Sequence, residues 1–343
     1  MMVEIVKNVK TNEWNDFINN INSSTIYHTP EWRLFLVKTF NYDQKYLFAK
    51  DDTGKITGML PLFYIKSRIT GNRLCSSPFS HICGAIGNQE SNEELINEAI
   101  KLHNALGTNY LEVRDNLTNP AFKSQNLFST YILDLSTDPL DVWGKLDKGS
   151  VRWAVKKSQK NGVKVIKTNN PEDILKFYEL NRVTKKELGV PCHPLAFINN
   201  LFIYMNKYLS LYISIYDNDV IGGGIMEYFK DAVLYGYGAA NPNYLKQYPY
   251  NAFIWKSIED ACNSGYKHYD FGRTSYDNRG LSDFKSRWNT YEQKLFYSYF
   301  PDKKYSVSDN RSSLKYNLTT DIIKKSPMIL YSYFSEGIFK HFG

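Results

Sequence analysis

Two stretches of this chain repeat each other at a fixed offset of 158 residues (253 − 95), without a gap. Leu95–Arg114 reads LINEAIKLHNALGTNYLEVR and Phe253–Gly272 reads FIWKSIEDACNSGYKHYDFG. The offset sets Ile96 on Ile254, Ile100 on Ile258, Gly107 on Gly265, Glu112 on Asp270 and Val113 on Phe271. Each copy carries apolar residues at helical spacing, a glycine stop and then a short apolar strand. Upstream, Ile56-Thr57-Gly58 and Val220-Ile221-Gly222 form a second matching pair. The pattern predicts a tandem duplication of one α/β unit, with an active site where the halves meet.

At 343 residues the chain is long enough for two cores, since single cores stop growing near about 250–300 residues. A net charge of +7 permits an anionic ligand without demanding nucleic acid. Cys75, Cys83, Cys192 and Cys262 show no CxxC pair and no metal spacing with histidine. Cys75 and Cys83 could bridge, but reduced, buried thiols are the expectation. The opening MMVEIVKNVK lacks the apolar core of a signal peptide, and no apolar run approaches the roughly 20 residues of a membrane span. The expected location is the cytoplasm.

A strand over Val3–Val6 and a helix around Glu13–Asn20 open the first half. Thr29-Pro30-Glu31 starts a helix to Phe40, with threonine as cap and proline at the first position. Tyr46–Ala49 is a strand, and the Asp51–Gly54 turn leads into Ile56–Ile65. Gly71–Asn88 reads as irregular, and Tyr131–Leu135 closes the half. The polar run 136–150 reads as a boundary, so the expected domains are 1–145 and 146–303, with a helical tail over 304–343. In the second half Ser150 caps a helix ending at Gly162. Strand Val163–Ile166, helix Glu172–Leu188, the stiff Val190–Pro194 and a helix from Leu195 follow. Strands then cover Leu209–Tyr216, Val220–Phe229, Ala232–Ala240 and Lys294–Phe300. Asp321–Gly343 reads as one amphipathic helix, docked on its own domain or touching a membrane surface.

The chain has no GxGxxG or Walker loop, no HExxH, no GxSxG and no clustered metal ligands. Hydride transfer, nucleotide hydrolysis and zinc chemistry therefore lack support. Gly222-Gly223-Gly224 sits inside a strand pattern, where a bulge or a close backbone approach is the reading. The β-β-β-α-β order of residues 209–273 resembles the acetyltransferase fold called GNAT. In that fold a loop and helix N-terminus hold the pyrophosphate of acetyl-CoA. The resemblance places Gln247, Asn251 and Ala252 at the donor site. Tyr250 replaces the motif's first glycine and would crowd the phosphates, and Pro249 removes an N–H donor.

Tyr269-Asp270-Phe271-Gly272-Arg273 and Gly280–Trp288 (GLSDFKSRW), with Ser150–Ser158 (SVRWAVKKS) and the Gly189-Val190-Pro191-Cys192-His193-Pro194 turn, resemble the FemAB superfamily. The resemblance covers most of the chain and is densest over 150–290. It implies a mixed α/β (α+β) fold of two tandem GNAT-like domains, each a central sheet flanked by helices. It also implies amide formation on an amine of a cell-envelope precursor or sugar. The donor would be acyl-CoA or aminoacyl-tRNA, with no permanently bound cofactor and no metal. The long coiled-coil insertion of the best-known members is missing, which weighs against tRNA.

Such chemistry needs a group to take the amine proton and positive or hydrogen-bonding groups for the oxyanion and leaving group. Lys285 matches the family's Phe-Lys position, where lysine meets phosphate or developing charge; its other reading is a surface lysine. Asp270 could accept the amine proton or pair with Arg273. Arg273 suits a substrate carboxylate or phosphate. Arg152, Lys156 and Lys160 form a cationic row on one helix face. Trp153, beside that row, reads as core. His193, Tyr237 and Trp288 complete the substrate-contact candidates. The acceptor is expected to be an anionic small molecule or a lipid-linked glycan or peptide, with membrane contact through the tail. A plain acetyl-CoA-dependent acetyltransferase and a non-catalytic binding protein of envelope assembly are the alternatives.

Overall fold

The structure, a computed structural model, describes residues 2–5, 10–301 and 314–341. Val6, the expected end of the first strand, and residues 304–313 and 342–343 of the expected tail lie outside the described residues. The chain divides into two units. One is Met1–Phe128 with Lys294–Ser306 and Lys340–Gly343; the other is Ser129–Gln293 with Val307–Phe339.

The first unit opens with β1 (Met2–Ile5), α1 (Thr11–Asn20) and α2 (Pro30–Phe40). The Thr29 hydroxyl accepts the Trp32 N–H at 3.2 Å and Pro30 fills the first helical position, as the spacing predicts. Then come β2 (Asp43–Gln44), β3 (Leu47–Lys50), β4 (Ile56–Leu60), β5 (Phe63–Ile65), β6 (Arg73–Cys75), β7 (Ile86–Gly87), α3 (Gln89–Leu106), β8 (Tyr110–Val113) and β9 (Lys123–Asp134). Gly71–Asn88 is thus not wholly irregular, because its two ends pair as β6 and β7. Strands β1, β3, β4 and β7 form one sheet. Helix α3 lays Leu95, Ile96 and Ala99 on a core with Leu47, Leu60, Leu111 and Val113. Cys75 and Cys83 are both free and buried.

The second unit contains α4 (Pro139–Lys145), α5 (Trp153–Lys160), β10 (Lys164–Thr168), α6 (Pro171–Glu187), α7 (Leu195–Met205), β11 (Leu209–Tyr216), β12 (Asp219–Phe229) and β13 (Ala232–Ala240). After these come α8 (Pro249–Asn263), β14 (His268–Asp270), β15 (Thr274–Ser275) and α9 (Arg279–Ser286), and the chain leaves the unit through β16 (Tyr291–Phe300). The sheet order is β10-β11-β12-β13-β14-β9. The run 136–150 is no open linker: α4 buries Val142, and Val142 and Leu146 join the core. Trp143 there packs 4.7 Å from Trp255. Nor does Ser150 cap the next helix. The Asp147 carboxylate accepts its N–H at 2.7 Å, and a π-turn over Lys148–Arg152 precedes α5. The tail forms two helices, Leu314–Lys325 and Met328–Phe339. Pro327, which has no N–H to continue the first, separates them.

The repeat is visible in three dimensions. Gly107 and Gly265 both take positive φ, 58° and 79°, where a side chain would be strained. Each following strand lies between a parallel and an antiparallel neighbour. For β8 these are β6 and β16, and for β14 they are β13 and β9. The same offset carries Ser91 onto Pro249. A Cβ on Gly58 would stand 2.7 Å from Ser91 Cβ, and one on Gly222 would stand 2.6 Å from Pro249 Cβ. In both copies, therefore, a glycine in the upstream strand makes room for the first turn of the repeated helix. Gly222→Ala should destabilise the protein by about 1–3 kcal/mol through overpacking against the rigid proline ring. An unchanged urea midpoint would mean that α8 shifts freely on β12.

Candidate active site

Strands β13 and β14 pair in parallel only over Ala232–Leu234 with His268–Asp270. Beyond that point β14 ends while β13 runs on to Ala240, so the ladder between them stops at Asp270. The Asp270 carboxylate accepts the Gly272 N–H at 2.7 Å and a hydrogen bond from the Thr130 hydroxyl. Helix α9 turns Lys285 inward against this corner. Lys285 is 3% exposed, and its Nζ donates to the Gly272 carbonyl at 2.6 Å. Lys285 is not a surface lysine. Burial pulls its pKa down from 10.5 to about 8, against the opposing pull of the Asp270 charge.

A third charged group of the corner was not singled out from the sequence. Glu227 on β12 is 2% exposed, and its Oε2 has no hydrogen-bond partner among the described residues. Burial first, and the Asp270 charge second, push its pKa from 4.5 up to about 8. Space for its carboxyl comes from Gly236 of β13, where a Cβ would lie 2.7 Å from Glu227 Oε1. Gly236 is itself exposed, so this buried acid lies beside a solvent-facing backbone position. The sequence signal was present, as a lone carboxylate inside the apolar strand VIGGGIMEYF.

Tyr237 follows Gly236, and its hydroxyl pKa is pushed up by burial and by the Glu227 charge. Its ring meets His193 at 5.1 Å and Phe197 at 5.7 Å. The structure therefore brings together Lys285, Asp270, Glu227, Tyr237 and His193 in one region. Arg273 is exposed on the turn after β14. Trp288 must be removed from the substrate contacts. It is fully buried, with its ring 5.7 Å from Phe271 and 6.2 Å from Phe284, because its apolar bulk completes the core beneath α9.

A second group forms at the start of α8. The Asn161 amide donates to Gln247 Oε1 at 2.6 Å, tying α5 to the turn before that helix. Trp153 is 49% exposed, not core, and meets Tyr248 edge-on at 5.2 Å. Arg152 is half-buried, with no partner for its Nε, and Lys156 is exposed. Pro249 supplies no N–H, and the Ala252 N–H is taken by the Tyr248 carbonyl at 3.1 Å. Ala252 thus offers no backbone donor, which leaves the first-turn amides of Tyr250 and Asn251 without intrahelical acceptors. Tyr250 does not crowd that terminus as the sequence suggested. Its ring turns onto Phe253, 5.7 Å away, at the edge of the core.

Residues 148–286 match the family described as "Acetyltransferase (GNAT) domain". This stretch is similar to an acetyltransferase domain. Among solved structures, FemX shares 14% identity over 87% of this chain and 97% of its own, with a TM-score of 0.69. The two share a fold. A tandem GNAT protein from the clavulanic acid biosynthesis pathway matches at TM-score 0.53, with 11% identity over 89% of this chain and all of its own. The C-terminal domain of a putative lysylphosphatidylglycerol synthetase from Agrobacterium fabrum matches at TM-score 0.58, with 9% identity over 85% of this chain and 92% of its own. No curated protein matches the chain by sequence. A mixed sheet flanked by helices, as the repeat implied, is thus the architecture, and the acetyltransferase match falls on the second copy.

The two shifted groups predict opposite effects of pH on stability. Between pH 4.5 and 8 native Glu227 keeps a proton that the unfolded chain releases, so its contribution is full below 4.5 and lost as pH rises through 8. Between 8 and 10.5 the unfolded chain holds the Lys285 proton that the native state has released, so stability rises with pH there. Glu227→Gln should flatten the decline below pH 8 and leave the rise above it, as read by thermal melts across pH. An unaltered decline would remove Glu227 as its cause.

Proposed function

We propose that this protein is an N-acyltransferase, passing an acyl or aminoacyl group to an amine of a cell-envelope precursor or sugar. The observation that carries this reading is the corner where the β13–β14 ladder ends. A buried lysine and two acids converge there, inside a GNAT domain. In the reaction the acceptor nitrogen attacks the donor carbonyl. A C–N bond forms, and the C–S bond of a thioester or the C–O bond of an ester breaks. The amine proton passes to the Glu227–Asp270 pair, and the leaving thiolate or alkoxide takes up a proton. Glu227 is suited to this because a base works best with a pKa near the working pH. The protonated Lys285 has N–H groups beyond the one on Gly272 and supplies the cationic partner for the oxyanion.

The donor is a substrate, not a resident cofactor. Its phosphates would lie at the α8 terminus, against the Tyr250 and Asn251 amides and beside Arg152, Lys156 and the Trp153–Tyr248 pair. The inward turn of Tyr250 favours a second reading, transfer from acetyl-CoA itself, since the obstruction expected at the phosphates is absent. A calorimetric titration with acetyl-CoA separates the two donors: saturable binding supports the coenzyme, and none supports aminoacyl-tRNA. With either donor and an amino-sugar acceptor, mass spectrometry should detect the amide. Lys285→Met should cut turnover about 10²–10³-fold, the usual loss on removing an oxyanion partner, with its circular dichroism unchanged. Near-wild-type turnover would remove Lys285 from the reaction.

An acceptor at the membrane is supported by the tail. Among the described residues no helix is long and apolar enough to cross a membrane. Yet Ile322, Ile329, Leu330 and Tyr333 are 62–72% exposed, beside Lys324 and Lys325. Such a face suits peripheral docking on an anionic bilayer. Ile329→Asp with Leu330→Asp should abolish co-flotation with phosphatidylglycerol vesicles. Failure of the wild type to float would end the membrane reading.

A further inference from the structure

Helix α6 turns Asn181 and Lys185 onto one face, a single turn apart. Asn181 is 0% exposed, and its Oδ1 accepts from His193 Nδ1 at 3.0 Å. Its Nδ2 is buried without an acceptor among the described residues. Lys185 has no ion pair or hydrogen bond among the described residues, and burial lowers its pKa, only weakly opposed by the neighbouring Cys192 thiol. That ammonium in turn helps to hold His193 neutral, after burial itself. The imidazole is walled by Phe197 at 5.0 Å, Tyr237 at 5.1 Å and Phe339 at 5.1 Å. Asn181 thus presents a buried donor, and half-buried Lys185, one turn along the same face, adds a cationic one. A buried donor without an acceptor is costly and becomes favourable when an anion supplies the missing partner.

We propose that Asn181 Nδ2 and Lys185 Nζ, against the His193–Tyr237 wall, form a subsite for an oxyanion, a carboxylate or phosphate carried by the acceptor. Tyr237 connects it to the reacting corner, since its ring touches His193 and its hydroxyl feels the Glu227 charge. The acceptor assignment rests on the transferase reading; the anion site itself does not. The enzyme therefore selects an acceptor whose amine lies a short span from an acidic group.

The test is thermal melting of the full chain in sodium acetate or inorganic phosphate, with chloride holding ionic strength constant. At roughly ten times the dissociation constant, one of these ions should raise the wild-type Tm by about 2–4 °C. Lys185→Met and Asn181→Leu should not respond. Without anion, Lys185→Met should melt above the wild type, because an apolar chain of similar length replaces an unpaired ammonium. A response to acetate alone identifies a carboxylate subsite, and one to phosphate alone identifies a phosphate subsite. Equal responses in wild type and Lys185→Met, or a lower Tm for Lys185→Met without anion, would overturn the proposal. Loss of the anion response with amide formation intact would sink the subsite alone. An intact response without amide formation would sink only the reaction.

Discussion

The second unit depends on a contact that exists because a side chain is missing. Gly222 lets Pro249 press onto β12, and the Ser214 hydroxyl donates to the Pro249 carbonyl at 3.0 Å to hold it there. With its first turn fixed, α8 runs across the sheet and delivers β14 parallel to β13. Only three residue pairs form before β14 stops. The early end of their pairing follows from where the helix is anchored and how short the returning strand is. Glu227 then fits beneath it because Gly236 also lacks a side chain.

The first unit uses the same anchor, Ser91 on Gly58, and ends its strand in a different electrostatic state. Glu112, the counterpart of Asp270, is buried with Arg114, the counterpart of Gly272. Arg114 Nε donates to Glu112 Oε1 at 2.9 Å, and its Nη1 donates to the Ser80 carbonyl at 2.5 Å. Burial alone would raise the Glu112 pKa, but the arginine holds it below its ordinary value. That acid is committed to a closed pair. In the second copy a glycine replaces the arginine, and Asp270 instead faces Lys285 across the corner and Glu227 beneath it. Loss of one side chain at the equivalent position thus replaces a structural ion pair with a group of two acids and an amine.

Most of the architecture was legible because it rests on local signals. The helix stops at Gly107 and Gly265, the Thr29 cap and the three consecutive strands of the second unit need only neighbours in sequence. Positions decided by distant packing were not legible. The run 136–150 looked like a linker because its polar residues outnumber the two, Val142 and Leu146, that the core takes in. Trp153 and Trp288 could not be told apart by type, and each took the other's expected place, one exposed beside Tyr248 and the other buried beneath α9. Within the site, Lys285 and Asp270 carry a recognisable motif. Glu227 does not, because its role depends on Gly236, nine residues away on the neighbouring strand.

Glu227 and Lys285 also show what burial does to partly satisfied groups. Fully paired, as Glu112 is with Arg114, a buried acid stays ionised and has no tendency to accept a proton near neutral pH. Fully exposed, it would return to a pKa near 4.5 and be a weak base. Burial with one oxygen unpaired brings Glu227 to about 8 from below, and burial on a single carbonyl brings Lys285 to about 8 from above. Desolvation thus moves the two groups in opposite directions, the acid up and the ammonium down. Desolvation without complete compensation sets both values, and the same condition is what an incoming substrate can relieve.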